Sequence, residues 1–250
     1  MFGERMKRQL ATQDWPALSI ELIIVVFGVF LAFQVDRLYE SRKLQSEEQA
    51  HLVALRHDFE ASRRELVRVI DIHMRSADAA SQLILDENFT PEDLSYKKFY
   101  QLLGDVQRIG TPNITRRTYD LLISSGKIDT LQNDQLKDDI DSFYALSEGR
   151  ESYQYVQQLL SFESGVFVPY VIQYLDHVAL VRSLHFDEAE AFDPPLEENH
   201  FMKVLGTPQF EGVVTTKWHL SVDYVSTNES LLRSLDNILQ ELDENLRAFD

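Results

Sequence analysis

One run of residues decides where a chain of this composition can live. Leu18 opens it and Val35 closes it: LSIELIIVVFGVFLAFQV. From Leu22 to Phe33 every residue is apolar except Gly28, which hydrocarbon tolerates. Wound as a helix, residues 17–35 reach about 28 Å at ~1.5 Å per residue, close to the ~30 Å hydrocarbon thickness of a bilayer. Trp15 before the run and Tyr39 after it stand where amphipathic rings favour the headgroup layer. The expected organisation is a short tail over 1–16, a transmembrane helix over 17–36, a helical stalk over 37–51 and an acidic helical bundle over 52–250. The lipid bilayer is the first expected partner.

Arg5, Lys7 and Arg8 precede the run, as in a signal peptide or a signal anchor. Cleavage needs small residues at its −3 and −1 positions, and Phe30, Leu31, Phe33 and Gln34 are bulky. An uncleaved, single-pass anchor is therefore expected. Arg37, Arg42 and Lys43 balance the basic residues on the near side, so the positive-inside count is a tie. A long domain translocates with little regard to charge. The preferred arrangement is a bacterial inner-membrane protein with its N-terminus cytoplasmic and its C-terminal domain periplasmic. Glu21 and Gln34 are polar positions near the two edges. Glu21 has two readings: an interfacial carboxylate helped by the helix dipole, or a contact with a partner helix.

Charge is unevenly distributed. Residues 1–43 carry six Lys/Arg against five Asp/Glu, a net of +1, and residues 44–250 carry 18 against 36, a net of −18. An acidic domain is repelled by phosphate backbones, so no nucleic-acid partner is expected. Nine Gly and seven Pro in 250 residues favour long helices over turn-rich sheets. The absence of Cys excludes disulfides, zinc-thiolate sites and cysteine nucleophiles.

The fold class expected is all-α, with the transmembrane helix continuing into an antiparallel bundle of three long helices and two or three short ones. Residues 34–85 contain no Pro and no Gly. Leu52, Leu55, Phe59, Leu66, Val69, Ile70, Met74, Ala77, Ala80, Leu83 and Ile84 recur at three- and four-residue steps, which predicts one amphipathic helix. Its first part, 40–49, is nearly all polar and reads as a solvated stalk or a weak coiled coil in a homo-oligomer. Asp86-Glu87-Asn88 is expected to end it, and Thr90-Pro91 to open a helix that stops at Gly104. Gly-Thr-Pro at 110–112 and again at 206–208 reads as helix punctuation. It predicts helices over 113–125 and 208–248, the former closed by Gly126. Asn133 is expected to cap a long helix through Phe143, Tyr144, Tyr153, Tyr155, Leu159 and Leu160, kinked near Gly165 and Pro169 and ending about Leu184. The acidic stretch 187–199 reads as a surface loop. The last helix should bury Val214, Trp218, Val222, Val225, Leu231, Leu235, Ile238, Leu239, Leu242 and Leu246.

Few residues suggest chemistry. Glu48-x-x-His51 and Glu197-x-x-His200 match the spacing of carboxylate-bridged di-iron bundles, but such pairs arise by chance in an acidic chain with seven His. The chain has no HExxH, G-x-S-x-G or Walker motif. Ser124-Ser125-Gly126-Lys127 reads as a helix C-terminus with Gly at C′. His73 falls on the buried stripe of the first long helix, as a core or seam histidine. Phe143, Tyr144, Tyr153 and Tyr155 read as bundle core. No catalytic, cofactor-binding or metal-ligating residues are assigned, and no cofactor is expected.

Residues 21–59 and residues 118–144, with Glu21, the Ala32-Phe33-Gln34 step and the Ser125-Gly126 turn, resemble the bacterial single-pass membrane proteins of domain-of-unknown-function family 6090. The family's Asn-x-Trp-like exit from the membrane is replaced here by Val35-Asp36-Arg37-Leu38. The resemblance implies an anchor and a helical domain and carries no activity. The expected function is a membrane-anchored interaction, sensor or scaffold module, without catalysis, that meets a protein partner or a second copy through its span and stalk. The alternatives are an accessory subunit of an envelope or transport complex, in which Glu21 matters, and a bundle enzyme with a carboxylate/His metal site.

Overall fold

The computed structural model describes residues 15–84, 94–175 and 200–249, with the side chains of 15–19, 150–154 and 200 left out. Every regular element among the described residues is helical. In chain order they are α1 (Trp15–Ile84), α2 (Tyr96–Gln107), α3 (Arg117–Ser124), α4 (Asp134–Ser147), α5 (Arg150–Phe162), α6 (Val168–Tyr174) and α7 (Pro208–Arg247). A π-helical turn, Glu163–Phe167, joins α5 to α6, and short 3₁₀ turns lie at Ile128–Thr130 and His200–Lys203. The chain divides into two compact units, 1–51 and 52–250, and α1 contributes to both.

In the first unit, residues 20–46 are exposed throughout. From Ile20 to Val35 the large apolar side chains keep about half to two thirds of their surface accessible. Among the described residues, one helix is long and apolar enough to cross a membrane, and its apolar window is wholly unburied.

The second unit is organised by two antiparallel helices, the 52–84 part of α1 and α7. Their register follows four side-chain meetings: Arg56 with Asp243, Arg63 with Asp236, His73 with Tyr224 and Ser76 with Ser221. Each step forward on α1 is matched by a step back on α7. Leu52, Leu55, Phe59 and Leu66 meet Leu235, Ile238 and Leu242, with Leu136, Ile140, Phe143 and Tyr144 of α4 closing that core. At the other end Ala79, Ala80 and Leu83 join Phe99, Leu103 and Val106 of α2, Phe167, Val171, Phe210 and Val214. Each buried large apolar side chain contributes about 1.5–3 kcal/mol relative to exposure.

Several expected boundaries move. Residues 85–93, including Thr90-Pro91, lie outside the described residues, as do 176–199 with the expected acidic loop and the helix end near Leu184. The α2 N-cap is Ser95, whose hydroxyl accepts from the Lys98 amide. This helix runs through Gly104 to Gln107. It buries Phe99, Tyr100, Leu103 and Val106 on one face, and that packing outweighs the ~1 kcal/mol helix cost of a glycine. Thr111-Pro112 opens no helix: residues 108–116 are an irregular strap and α3 begins at Arg117. The long helix expected from Asn133 breaks at Gly149. A Cβ there would lie 3.1 Å from the Leu146 carbonyl oxygen. The kink near Pro169 takes the form of the π turn, because Pro169 has no N–H to give the residue four positions back. Among the described residues two long helices remain, α1 and α7, where three were expected.

Other punctuation falls where expected. Gly126, at φ +67°, closes α3 in a Schellman arrangement: its amide donates to Ile123 O and that of Lys127 to Leu122 O. Asn133 caps α4 through the Leu136 amide. Thr207 caps α7 through the Phe210 amide, with Pro208 at its first position.

Candidate functional site

Halfway along the α1–α7 pair the seam changes character. Lys217, Ser221, Tyr224 and Asn228 occupy the buried face of α7, facing His73 and Ser76 of α1. Ser76 Oγ donates to the Val106 carbonyl at 2.8 Å and lies 3.2 Å from Ser221 Oγ. Asn228 donates to the Tyr224 carbonyl one turn earlier. Hydrogen-bonded hydroxyls and amides are tolerated at such a seam, whereas charges cost more.

Lys217 is fully buried, and its Nζ lies 3.5 Å from a Glu163 carboxylate oxygen and 3.5 Å from the Arg108 carbonyl oxygen. Glu163 is the first residue of the π turn, so the pair ties together α7, the end of α2 and the α5–α6 junction. Burial pushes the Glu163 carboxyl up, against the opposing pull of Lys217 and of the Gln107 amide. Burial likewise pushes the Lys217 amine down, against Glu163. At that separation the hydrogen bond is long, and taking two ions out of water sets a desolvation cost against the attraction between them.

His73 ties this seam to the strap. Its Nε2 lies 3.0 Å from the Gly110 carbonyl oxygen and 3.3 Å from the Gly110 nitrogen, while Nδ1 is buried without a partner. The ring packs on Tyr224, with centroids 4.3 Å apart. Burial lowers its pKa from 6.5 to about 4, the Gly110 contact opposes this, and the nearby Lys217 charge reinforces it. A Cβ on Gly110 would lie 3.1 Å from Ile72 Cδ1, so a larger residue there would require the isoleucine to shift by a few tenths of an ångström. Further bonds fasten the strap. Ser62 Oγ accepts from the Thr115 amide, Tyr144 donates to the Thr115 carbonyl, and Asp58 accepts from the Thr118 amide at the start of α3. Arg116 ends the strap over the rings of Tyr119 and Tyr144, ion-paired with Asp120 and Glu148.

On its outer side the strap walls an apolar cleft of about 190 Å³ with Ile109, Gly110, Thr111, Val156, Leu159 and Leu160. That is room for a group on the order of a benzene ring.

Sequence pattern located His73 on the buried stripe but missed its neighbours. Trp218 and Val225 are half-buried and Val222 and Met74 are exposed, while the positions beside them, Lys217, Ser221, Tyr224, His73 and Ser76, hold the interior. Following apolar letters selects the wrong face by one residue here. The available signal was the i, i+4, i+7 spacing of Lys217, Ser221 and Tyr224, which continues from Phe210 and Val214.

The span residues stand apart from this seam. Glu21, Gly28, Gln34, Val35 and Tyr39 lie on the exposed part of α1. Trp15 and Leu18 lie in the same helix, their side chains outside the described atoms. Glu48 is buried and His51 half-buried with an unpartnered Nε2, while Glu197 lies outside the described residues. Among the described residues, no group of three or more His, Asp or Glu is placed to hold a metal ion. Phe143 and Tyr144 are core, Tyr155 is half-buried, and the Tyr153 side chain lies outside the described atoms. No family model, no curated protein and no solved structure matches the chain.

Proposed function

We propose that this chain is a single-pass protein of a bacterial inner membrane, held by residues 17–36, whose helical domain works by contact with other proteins rather than by catalysis. The observation that carries this is the belt of apolar side chains from Ile20 to Val35, exposed on every face of a helix long enough to span hydrocarbon. A water-soluble helix of that composition would bury one side. The N-terminal tail is cytoplasmic and the acidic domain periplasmic, and Glu21 and Gln34 are where a partner helix or a second copy would meet the span.

Fractionation tests the anchor. The full chain should stay in the membrane pellet after alkaline carbonate washing, and its release into the wash would overturn the proposal. Orientation is read by cysteine labelling, which the absence of native Cys makes clean. A Ser226→Cys chain, altered at an exposed α7 position, should react with an impermeant maleimide in intact spheroplasts. Labelling only after lysis would reverse the assignment.

A further inference from the structure

The strap 108–116 is an irregular segment held by side chains, and one of them titrates. The His73 ring is fully buried between the strap, which supplies Gly110, and α7, which supplies Tyr224 and Lys217. In either neutral tautomer Nε2 finds a Gly110 partner and Nδ1 finds none. A second proton puts an N–H on Nδ1 with no acceptor and places a cation beside Lys217. We propose that His73 is an acid-operated latch: proton uptake by its ring releases the strap from α1 and so moves one wall of the apolar cleft.

The groups facing the ring do not rescue the imidazolium. From α7, Lys217 is cationic and Tyr224 stays neutral, its phenol pushed up by burial. From the π turn, Glu163 faces Lys217. At the strap's start, Arg108 is engaged by Asp105 at 2.9 Å. Arg68, which reaches the Thr111 carbonyl, is held by Glu65 at 2.9 Å. The strap's other ties are Ser62 and Tyr144 to Thr115, which carry no charge, the Lys217 ammonium at the Arg108 carbonyl, Glu65, whose carboxyl is held down by Arg68 and the Asn113 amide, and Arg116 with Asp120 and Glu148. The proposal concerns the helical domain alone and stands whether or not the span is in a membrane.

Hydrogen–deuterium exchange on the full chain in detergent micelles, corrected for the intrinsic pH dependence of exchange, tests it. Between about pH 7.5 and about pH 5, strap amides should open roughly 30-fold more often, the ratio set by a ring that titrates at 6.5 when released and at about 4 when held. Amides in the middle of α4 should not change. His73→Gln, which is neutral at every pH, should abolish the response. Lys217→Met, which removes the facing cation, should shrink it. Equal strap protection at the two pH values, or an unchanged response in His73→Gln, would overturn the latch. If His73→Gln does not fold, the wild-type contrast between strap and α4 decides, together with the ring titration by NMR: a ring titrating near 6.5 in the folded protein would also overturn it. Proton uptake by Glu163, whose carboxyl burial pushes up, favours the folded form and so opposes strap release, and residues 163–174 are followed separately to read it.

Discussion

The α1–α7 pair is two seams in one. From Leu52 to Leu66, paired with Leu235 to Leu242, the side chains that meet across the pair are apolar and closed by the rings of Phe143 and Tyr144, while the buried Asp58 and Ser62 turn to the backbone of Thr118 and Thr115. From His73 to Ser76, paired with Lys217 to Asn228, the same two helices bury a lysine, an imidazole, hydroxyls and an amide. Register and helix type are continuous across the change. The first seam stabilises by area removed from water. The second relies on partners that sit at hydrogen-bonding distance only when three elements are in place, and it holds groups that titrate.

The comparison is broken most forcefully in the apolar seam. Phe59→Ala removes a fully buried ring packed 5.3 Å from Phe143, and should cost about 3–5 kcal/mol in urea unfolding of the full chain. A loss below ~1 kcal/mol would mean that this seam is not the stable half.

The polar seam should respond with opposite signs. Glu163→Ala alone strands a buried ammonium and should cost about 3–5 kcal/mol, whereas Glu163→Leu with Lys217→Met should be neutral or gain roughly 1–4 kcal/mol. A double variant as unstable as the single one would show that the ion pair is a net stabiliser.

Acid should act on the polar seam through His73. The folded-state pKa of His73 is depressed, so its contribution is complete above pH 6.5 and is lost as pH falls through about 4. The loss should be on the order of 3 kcal/mol. Glu163 runs the other way: its pKa is raised, so its contribution is present below 4.5 and lost as pH rises through the folded value. Unfolding free energies of the wild type and of His73→Gln against pH separate the two. Parallel curves would remove His73 from the account.

The smallest effect should come from the pairs that fix register on the surface. Arg63→Ala breaks a 2.7 Å contact with Asp236 between half-exposed side chains, and its cost should stay below ~1 kcal/mol. A double-mutant cycle with Asp236→Ala measures it.

Much of the fold was legible because it depends on local chemistry. The Pro- and Gly-free stretch after the apolar run is one helix with it, α7 begins at Thr207-Pro208 as expected, and Gly126 and Asn133 act as written. Gly110-Thr111-Pro112 carries the same letters as Gly206-Thr207-Pro208 and does something else. Ser62, His73 and Tyr144 take up strap backbone groups at Gly110 and Thr115. Gly104 continues a helix it was expected to stop, because its face packs against two others. The candidate site was the least legible part. A lysine and a serine count as surface letters until a partner across the seam supplies the carboxylate or carbonyl that lets them go inside.

By itself, the sequence determined the features that need only the chain's own neighbours. These are a helical apolar run of membrane-spanning length, an all-α domain beyond it, and the caps that punctuate it. A residue's helical propensity, capping group and period act within a few positions along the chain. Tertiary structure alone decided that α7 turns Lys217 and Ser221 inward instead of Val222, that residues 108–116 stay unwound, and that His73 meets Gly110. Those outcomes depend on which groups from distant positions arrive at hydrogen-bonding distance, and one residue of rotation about a helix axis is enough to exchange a buried face for an exposed one.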